Sequence, residues 1–134
     1  MTAAYATHRL SGIVTPANAT YTVEELAHQL KSSGAKAVFT CSSLLANALQ
    51  AAEKTGIPRR NIYVLELPTE ARVHDTLILS VDEMILKGFS LSPLERLTFV
   101  KGQGARQTAF LCYSSGTSGQ PVSDLRWRLR LIER

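Results

Sequence analysis

With 134 residues, 45% hydrophobic and 19% charged, the sequence has the composition of one modest globular domain rather than of a disordered chain. The net charge of +4 is shared equally between residues 1–121 and residues 122–134, where four arginines face only Asp124 and Glu133. This balance excludes a broad basic face, so we expect no nucleic-acid partner, and no apolar run reaches the roughly 18 residues of a membrane span.

The first part of the chain predicts two helices with an extended segment between them. Residues 3–10 read as the end of a helix, and residues 11–18 (SGIVTPAN) as a short strand that runs into a turn. Thr22 and Glu25 have the spacing of a capping box, in which the hydroxyl and the carboxylate each bind a free amide of the first turn. Apolar residues follow at helical spacing, and we expect Gly34 to end this helix.

The next stretch alternates short apolar runs with a helical pattern. Residues 35–40 (AKAVFT) and 61–67 (NIYVLEL) predict buried strands, because each is apolar and is bounded by turn residues. The pattern between them predicts a helix that Ser42 or Ser43 caps and that Gly56 ends.

Two further elements follow. Ser80 and Glu83 repeat the capping-box spacing ahead of a short helix, VDEMILKG, and residues 107–113, with the apolar run TAFLCY, predict a last strand. Strands and helices that alternate over short connections indicate parallel strands with helical crossovers. We therefore predict an α/β fold with a parallel, helix-flanked sheet.

A loop rich in hydroxyls and glycines, YSSGTSGQP, follows the last predicted strand directly. In open α/β sheets, ligands bind beyond the carboxyl ends of strands. Glycines let the backbone approach a ligand closely, and successive amides in such a turn form a concavity that binds anions. Hydroxyls add donors for phosphate oxygens. The sequence thus predicts a phosphate-binding loop whose contacts come from Ser114, Ser115, Gly116, Thr117, Ser118 and Gly119.

Three better-known loop motifs are absent here: the Walker pattern GxxxxGK[ST], the dinucleotide pattern GxGxxG and the nucleophile elbow GxSxG. A flexible Ser/Gly linker has a similar composition. Linkers, however, seldom follow a core strand without a stop signal, so a binding loop is the favoured interpretation.

Other reactive side chains give no site. Cys41 and Cys112 lie in unrelated apolar settings and predict two reduced core thiols rather than a disulfide or a metal site. His8, His28 and His74 are scattered, without partners at catalytic or metal-ligand spacing, and predict surface or helix-face histidines. We therefore predict no catalytic and no metal-ligating residue. The N-terminus lacks an apolar signal region, so we expect a cytosolic protein.

At the loop, the sequence resembles the adenylate-forming (AMP-dependent synthetase/ligase) superfamily, and within it the acyl-CoA synthetase and 4-coumarate–CoA ligase branch. The loop of that family runs Tyr/Phe-Ser/Thr-Ser-Gly-Thr/Ser-Thr-Gly-x-Pro-Lys-Gly, which residues 113–121 match with Ser118 as a conservative replacement. Upstream, THRLSGIVTPANATYTVEELAHQLKSSGAKAVFT is similar to the family's GGxxxPxNPxYTxxELxxQLxxSxAK. The likeness covers roughly residues 4–121.

The resemblance implies a ligase that works in two steps. A carboxylate attacks the α-phosphate of ATP to give an acyl-adenylate and pyrophosphate, and the thiol of coenzyme A then displaces AMP. It implies ATP and Mg²⁺ as cofactors, and a carboxylic acid and coenzyme A as substrates of the full enzyme. In the family, the loop matched by residues 114–119 holds the β- and γ-phosphates during adenylation.

The sequence departs from the family after Pro121, where Val122 replaces the loop lysine, a point charge for phosphate. Residues 122–134 (VSDLRWRLRLIER) match nothing in the family and alternate apolar and basic residues with the period of a strand. The family's acyl pocket, most of its adenine pocket and its catalytic lysine have no counterpart. We expect a partial N-terminal domain over residues 1–121, inactive alone, and an unrelated basic tail over residues 122–134.

Two alternatives stay open from the sequence. The chain could be a small, non-catalytic module that binds nucleotides or anions. It could also be a non-functional truncated product whose open strand edges pair with other chains.

Overall fold

The computed structural model describes residues 2–67, 69, 75–98, 100–103, 106–114 and 122–128, with the backbone alone for residues 114 and 122–128. The chain divides into two compact units. One is the continuous segment Asn18–Pro93, and the other combines Met1–Ala17 with Leu94–Arg134.

The described helices and strands are short, as expected for a domain of this size. In chain order they are α1 Thr2–Arg9, α2 Val23–Ser33, β1 Val38–Cys41, α3 Leu45–Thr55, β2 Ile62–Leu65, β3 Leu79–Ser80, α4 Val81–Gly88, β4 Thr108–Ser114 and β5 Val122–Arg128.

In the continuous unit, β1, β2 and β3 form a parallel sheet in that order. Val38 pairs with Ile62 at one end of β1, and Cys41 pairs with Leu65 at the other. Helix α3 connects β1 to β2, so the predicted helical crossover between parallel strands is confirmed for this pair. The sequence pattern does not indicate β3, because two residues are too few to show the alternation typical of a strand.

The core of this unit lies where α2 and α3 pack against each other and against β2. Small side chains on both helices let their backbones approach closely, and the fully buried Ile62 of β2 closes the cluster. Its buried members are Ala27, Leu30, Ala51, Ala52, Ile57 and Ile62. The opposite face of the strands is more open, since Phe39 and Leu65 are 38% and 39% exposed.

The helix beginnings confirm two of the three predicted caps. Thr22 Oγ1 accepts the amide of Glu25, while the Thr22 amide donates to the Glu25 carboxylate at 2.8 Å. Ser80 and Glu83 make the same reciprocal pair at the start of α4. Each box satisfies amides that the first helical turn leaves free.

The predicted cap of α3 by Ser42 or Ser43 is wrong. Residues Ser42–Leu44 form a turn of 3-10 helix, and Leu44 precedes α3 without any side-chain cap. The extra turn satisfies the helix start through backbone bonds instead. Gly34 and Gly56 end α2 and α3 as predicted, with left-handed φ values of 65° and 74°.

In the second unit, α1 confirms the predicted N-terminal helix, whereas the predicted strand 11–18 is reduced to a single parallel bridge between Val14 and Phe110. β4 confirms the last predicted strand, but it pairs antiparallel with β5 in a separate two-stranded sheet. The expectation that it joins the parallel sheet is therefore wrong. Residues 115–121, which connect β4 to β5, are too few for a parallel crossover, which needs a dozen or more residues. The two strands therefore pair antiparallel.

Candidate functional site

The predicted phosphate loop begins at the last residue of β4. Ser114 is the one predicted contact residue inside the described part of the chain, and there only its backbone is described. Ser115, Gly116, Thr117, Ser118 and Gly119 lie outside the described residues. Their contact with phosphate therefore stays a prediction, and the structure bears on the elements that carry the two ends of the loop.

Both ends of the loop are held at one place in the sheet. Ser114, the last residue of β4, is the register partner of Val122, the first residue of β5. Opposed residues of an antiparallel pair have Cα atoms about 4.5–5.5 Å apart. The connecting residues 115–121 thus start and finish side by side, and strand pairing offsets the entropy of closing the loop. The loop thus connects two antiparallel strands, β4 and β5.

The ladder below the loop is irregular. Pairing shifts between Thr108 and Phe110 and again between Leu111 and Tyr113. Such bulges bend and twist a strand and are common beside functional sites, where they change the direction of side chains. The second shift lies only a few residues before the loop. The position at which the loop begins therefore depends on contacts that fix the register of β4.

The basic residues of β5 are displaced from the loop along the strand. Arg126 pairs with Leu111 and Arg128 with Thr108. At about 3.3 Å of rise per residue, the Cα of Arg126 lies roughly 13 Å from that of Val122. The residue that directly follows the loop is Val122, and the first arginine of β5 lies four residues further along the strand.

The edge of β4 opposite β5 contacts the N-terminal segment. The amide of Val14 donates to the carbonyl of Ala109, and the amide of Leu111 donates to the carbonyl of Val14, both at 2.9 Å. These two bonds make β4 the middle member of three adjacent segments. Ala109, whose carbonyl accepts one of these bonds, is buried.

His8 adds a side-chain contact to the same strand. Its ring meets the ring of Phe110 edge-on, with centroids 4.9 Å apart and an interplanar angle of 79°. Its Nδ1 donates to the carbonyl of Gly12 at 3.2 Å, and Nε2 is buried without a partner in the described part of the chain. The predicted surface or helix-face histidine thus packs on β4, which no spacing in the sequence indicates.

The remaining predictions for reactive groups can be placed as follows. Cys41 and Cys112 are free thiols, and both are half-buried instead of lying in a core. Over the described ranges, no group of three or more His, Cys, Asp and Glu side chains is arranged to bind a metal ion. Within those same ranges, no helix combines the length and apolar character needed to cross a bilayer.

Comparison with known sequences gives a consistent family signal. A family model described as AMP-binding enzyme matches residues 1–121. The acyl-CoA ligase AKT1 of Alternaria alternata is 41% identical over 116 residues, which are 86% of this chain and 20% of that protein. The acyl-CoA ligase cm3C of Cordyceps militaris is 37% identical over 121 residues, 87% of this chain and 19% of that protein. The chain thus spans about a fifth of the length of these relatives.

Comparison with solved structures agrees at the level of the fold. A natural red-emitting luciferase from Phrixothrix hirtus superposes with a TM-score of 0.68 over 90% of this chain and 28% of the luciferase. The two sequences are 18% identical, so the likeness concerns the fold alone. Together with the parallel sheet β1–β2–β3, it confirms the predicted α/β fold.

Proposed function

Because this chain belongs to the AMP-binding enzyme family, we propose that it is part of an ATP-dependent acyl-CoA synthetase and supplies the loop that holds the phosphates of ATP. Relatives of this chain that are named acyl-CoA ligases support the reaction class. The assignment to the branch that includes 4-coumarate–CoA ligases rests on the loop residues, and both free thiols suit a reducing cytosol.

One structural observation carries the proposal for the loop. The register pair between Ser114 and Val122 holds the two ends of a hydroxyl- and glycine-rich segment next to each other. A short segment fixed at both ends loses less entropy when it closes around an anion than a free linker does. Backbone amides and serine or threonine hydroxyls are the donors that phosphate oxygens accept.

In the proposed reaction, a carboxylate oxygen attacks the α-phosphorus of ATP, and the bond to the bridging oxygen of pyrophosphate breaks. The loop would bind the β- and γ-phosphates and so hold the leaving group in line with the attack. Mg²⁺ would neutralise phosphate charge and enter with ATP, since it is usually bound by substrate phosphates and a few carboxylates. Coenzyme A would displace AMP from the acyl-adenylate in the second step.

We further propose that this chain binds ATP through its loop but does not complete the reaction. Catalysis of this kind needs a whole shell of preorganised groups, and the chain spans about a fifth of the length of its relatives. In this proposal residues 1–121 are the part shared with the family, and residues 122–134 are a basic tail outside it.

Isothermal calorimetry with ATP and Mg²⁺ tests the proposal. We expect saturable binding at millimolar ATP that Gly116→Val weakens at least tenfold and Ser115→Ala weakens severalfold. Ser90→Ala, a change of the same type at an exposed serine in the continuous unit, should leave the affinity unchanged. Absence of heat with the unmodified chain, or equal effects of Ser115→Ala and Ser90→Ala, would contradict the role of the loop.

A second assay tests the lack of catalysis. Pyrophosphate release is measured with ATP, Mg²⁺ and a panel of aryl and fatty carboxylates. We expect no release above that of a reaction without carboxylate. Robust, carboxylate-dependent release by this chain alone would overturn the proposal that other segments complete the active site.

A further inference from the structure

The strand that delivers the chain to the proposed loop is held by three contacts at and beside Phe110. The two hydrogen bonds of Val14 lie on either side of Phe110, at Ala109 and Leu111. The ring of His8 contacts the ring of Phe110 itself.

A tight turn brings both contacts to the same place. Helix α1 ends at Arg9, and the Gly12 amide then bonds back to the carbonyl of Thr7 at 2.8 Å. His8 Nδ1 bonds to the carbonyl of Gly12, which fixes the imidazole against the turn. The hydrogen bond to Gly12 therefore orients the imidazole that contacts Phe110. The same turn places Val14 at the edge of β4.

This attachment matters because the ladder between Phe110 and the loop is irregular. One register shift lies on each side of the pair Phe110–Leu111. A strand that slips by one residue turns every side chain to the opposite face of the sheet. In β4 such a slip would also separate Ser114 from its partner Val122 and change where the loop begins.

We propose that His8 is a positioning residue for the phosphate loop: its ring, held by Gly12, fixes the register of β4 at Phe110. This inference rests on the proposed function, since the loop gains its importance from binding ATP. His8 does not touch the proposed ligand. It acts through β4, at a distance of about 13 Å along the strand from Phe110 to Ser114.

A purely structural role for His8 predicts a different pattern. If the ring only filled space, an apolar side chain of similar size would replace it. The edge-on geometry requires an aromatic partner, because the positive edge of one ring is attracted to the electron-rich face of the other. His8→Phe keeps the ring contact but loses the hydrogen bond to Gly12, whereas His8→Leu keeps the bulk and loses both. Comparison of these two variants therefore separates positioning from packing.

The experiment uses the full chain with two measurements: hydrogen exchange of the β4 amides of Leu111 and Ser114, and calorimetry with ATP and Mg²⁺. We expect His8→Leu to speed exchange at both amides and to weaken ATP binding by about 3- to 10-fold, the range of one aromatic contact. His8→Phe, which keeps the ring contact but cannot bond Gly12, should recover part of both losses and lie between His8→Leu and the unmodified chain. His28→Leu, at an exposed histidine of α2, is the matched control and should change neither.

Three results would overturn the inference. The first is unchanged β4 exchange in His8→Leu. The second is a His8→Phe protein that matches His8→Leu both in exchange and in affinity. The third is faster exchange in His8→Leu with unaltered ATP affinity, which would show that β4 is anchored but that the loop does not depend on it. If the unmodified chain binds no ATP, the proposed function fails, and the exchange data alone decide whether His8 anchors β4.

Discussion

Phe39 and Tyr63 are register partners on adjacent parallel strands, and their rings lie with centroids 5.0 Å apart at an interplanar angle of 32°. Leu79 pairs with Tyr63 from the other side, so an apolar row crosses the three-stranded sheet. Aromatic neighbours on a half-exposed sheet face stabilise it by about 0.2–1 kcal/mol. The pair therefore joins β1 to β2 on the face opposite the core helices.

We expect Phe39→Ala and Tyr63→Ala to show a coupling free energy of about 0.5 kcal/mol in a double-mutant cycle. Urea unfolding of the two single variants and the double variant measures it. Phe89→Ala, at a phenylalanine that is 82% exposed, should change the free energy of unfolding by less than about 0.5 kcal/mol. Strictly additive effects of the two ring deletions would contradict the coupling.

Burial at the centre of the continuous unit predicts that the same substitution costs more stability at Ile62 than at the exposed Ile85. Ile62 is fully buried, and Ile62→Val should lower the free energy of unfolding by about 1 kcal/mol through the lost methylene and the cavity left behind. Ile85→Val removes the same group at a side chain that is 44% exposed, so the loss should be much smaller. Chemical denaturation compares the two, and equal losses would place Ile62 outside the tight core.

The turn after α1 predicts a strong effect of one added methyl group. A Cβ at Gly12 would lie 2.7 Å from Thr7 Cγ2 and 3.0 Å from the Thr7 carbonyl oxygen. Gly12→Ala should therefore destabilise the fold by about 1–3 kcal/mol, the usual range for overpacking. Gly88→Ala is the control: its Cβ would meet nothing within 4 Å, and a helix favours alanine. Thermal unfolding should rank the two in opposite directions, and a stable Gly12→Ala protein would show that the turn can open.

The cap of α2 predicts a dependence on pH. Hydrogen bonds from the backbone amide and then the hydroxyl of Thr22 lower the pKa of Glu25 below its ordinary value of 4.5. A lowered pKa means that the carboxylate stabilises the folded state at pH values above 4.5. This contribution is lost as the pH falls through the lowered pKa.

Titration of the Glu25 carboxyl carbon by NMR should show a midpoint below 4.5 in the unmodified chain and a higher midpoint in Thr22→Ala. Glu25→Gln, which does not titrate, should remove this part of the acid sensitivity of unfolding. An unchanged midpoint in Thr22→Ala would contradict the share of the pKa shift that comes from the Thr22 hydroxyl.

The position after the loop offers a gain of affinity. Val122 stands where the family has lysine, and its backbone pairs with Ser114 at the base of the loop. Val122→Lys adds a positive charge near the proposed phosphates, worth about 1 kcal/mol at a solvated site, so ATP should bind about fivefold tighter at low salt. Val122→Glu should weaken binding by a similar factor. Calorimetry at two salt concentrations checks both, and a neutral Val122→Lys would argue against phosphates at this end of the loop.

Signals carried by neighbouring residues were readable from the sequence, whereas pairing between distant residues was not. The boxes Thr22–Glu25 and Ser80–Glu83 and the end at Gly34 depend on local spacing, and the structure confirms them. The antiparallel partner of β4 is β5, a segment without likeness to the family, so a motif could not reveal it. The 3-10 turn before α3 replaced a side-chain cap that the serines made plausible.

The candidate site shows the same division. The hydroxyl–glycine loop stands out by composition, and its likeness to the family motif needs no structure. The support from His8 and Val14 depends on a contact across roughly a hundred residues of chain, which neither periodicity nor spacing reports. The register of β4 is therefore a property of the folded unit and not of the loop sequence.

The division of the chain into one continuous and one discontinuous unit imposes an order on folding during synthesis. Residues 18–93 leave the ribosome as a complete unit, whereas the segment that carries α1 gains its partner strand only after Phe110 appears. Domains generally fold as units from the N-terminus during translation. We therefore expect α1 and Val14 to lack their contacts with β4 until synthesis has passed Phe110. We therefore expect slower translation of residues 94–110 to prolong the time in which α1 is open to proteases and chaperones.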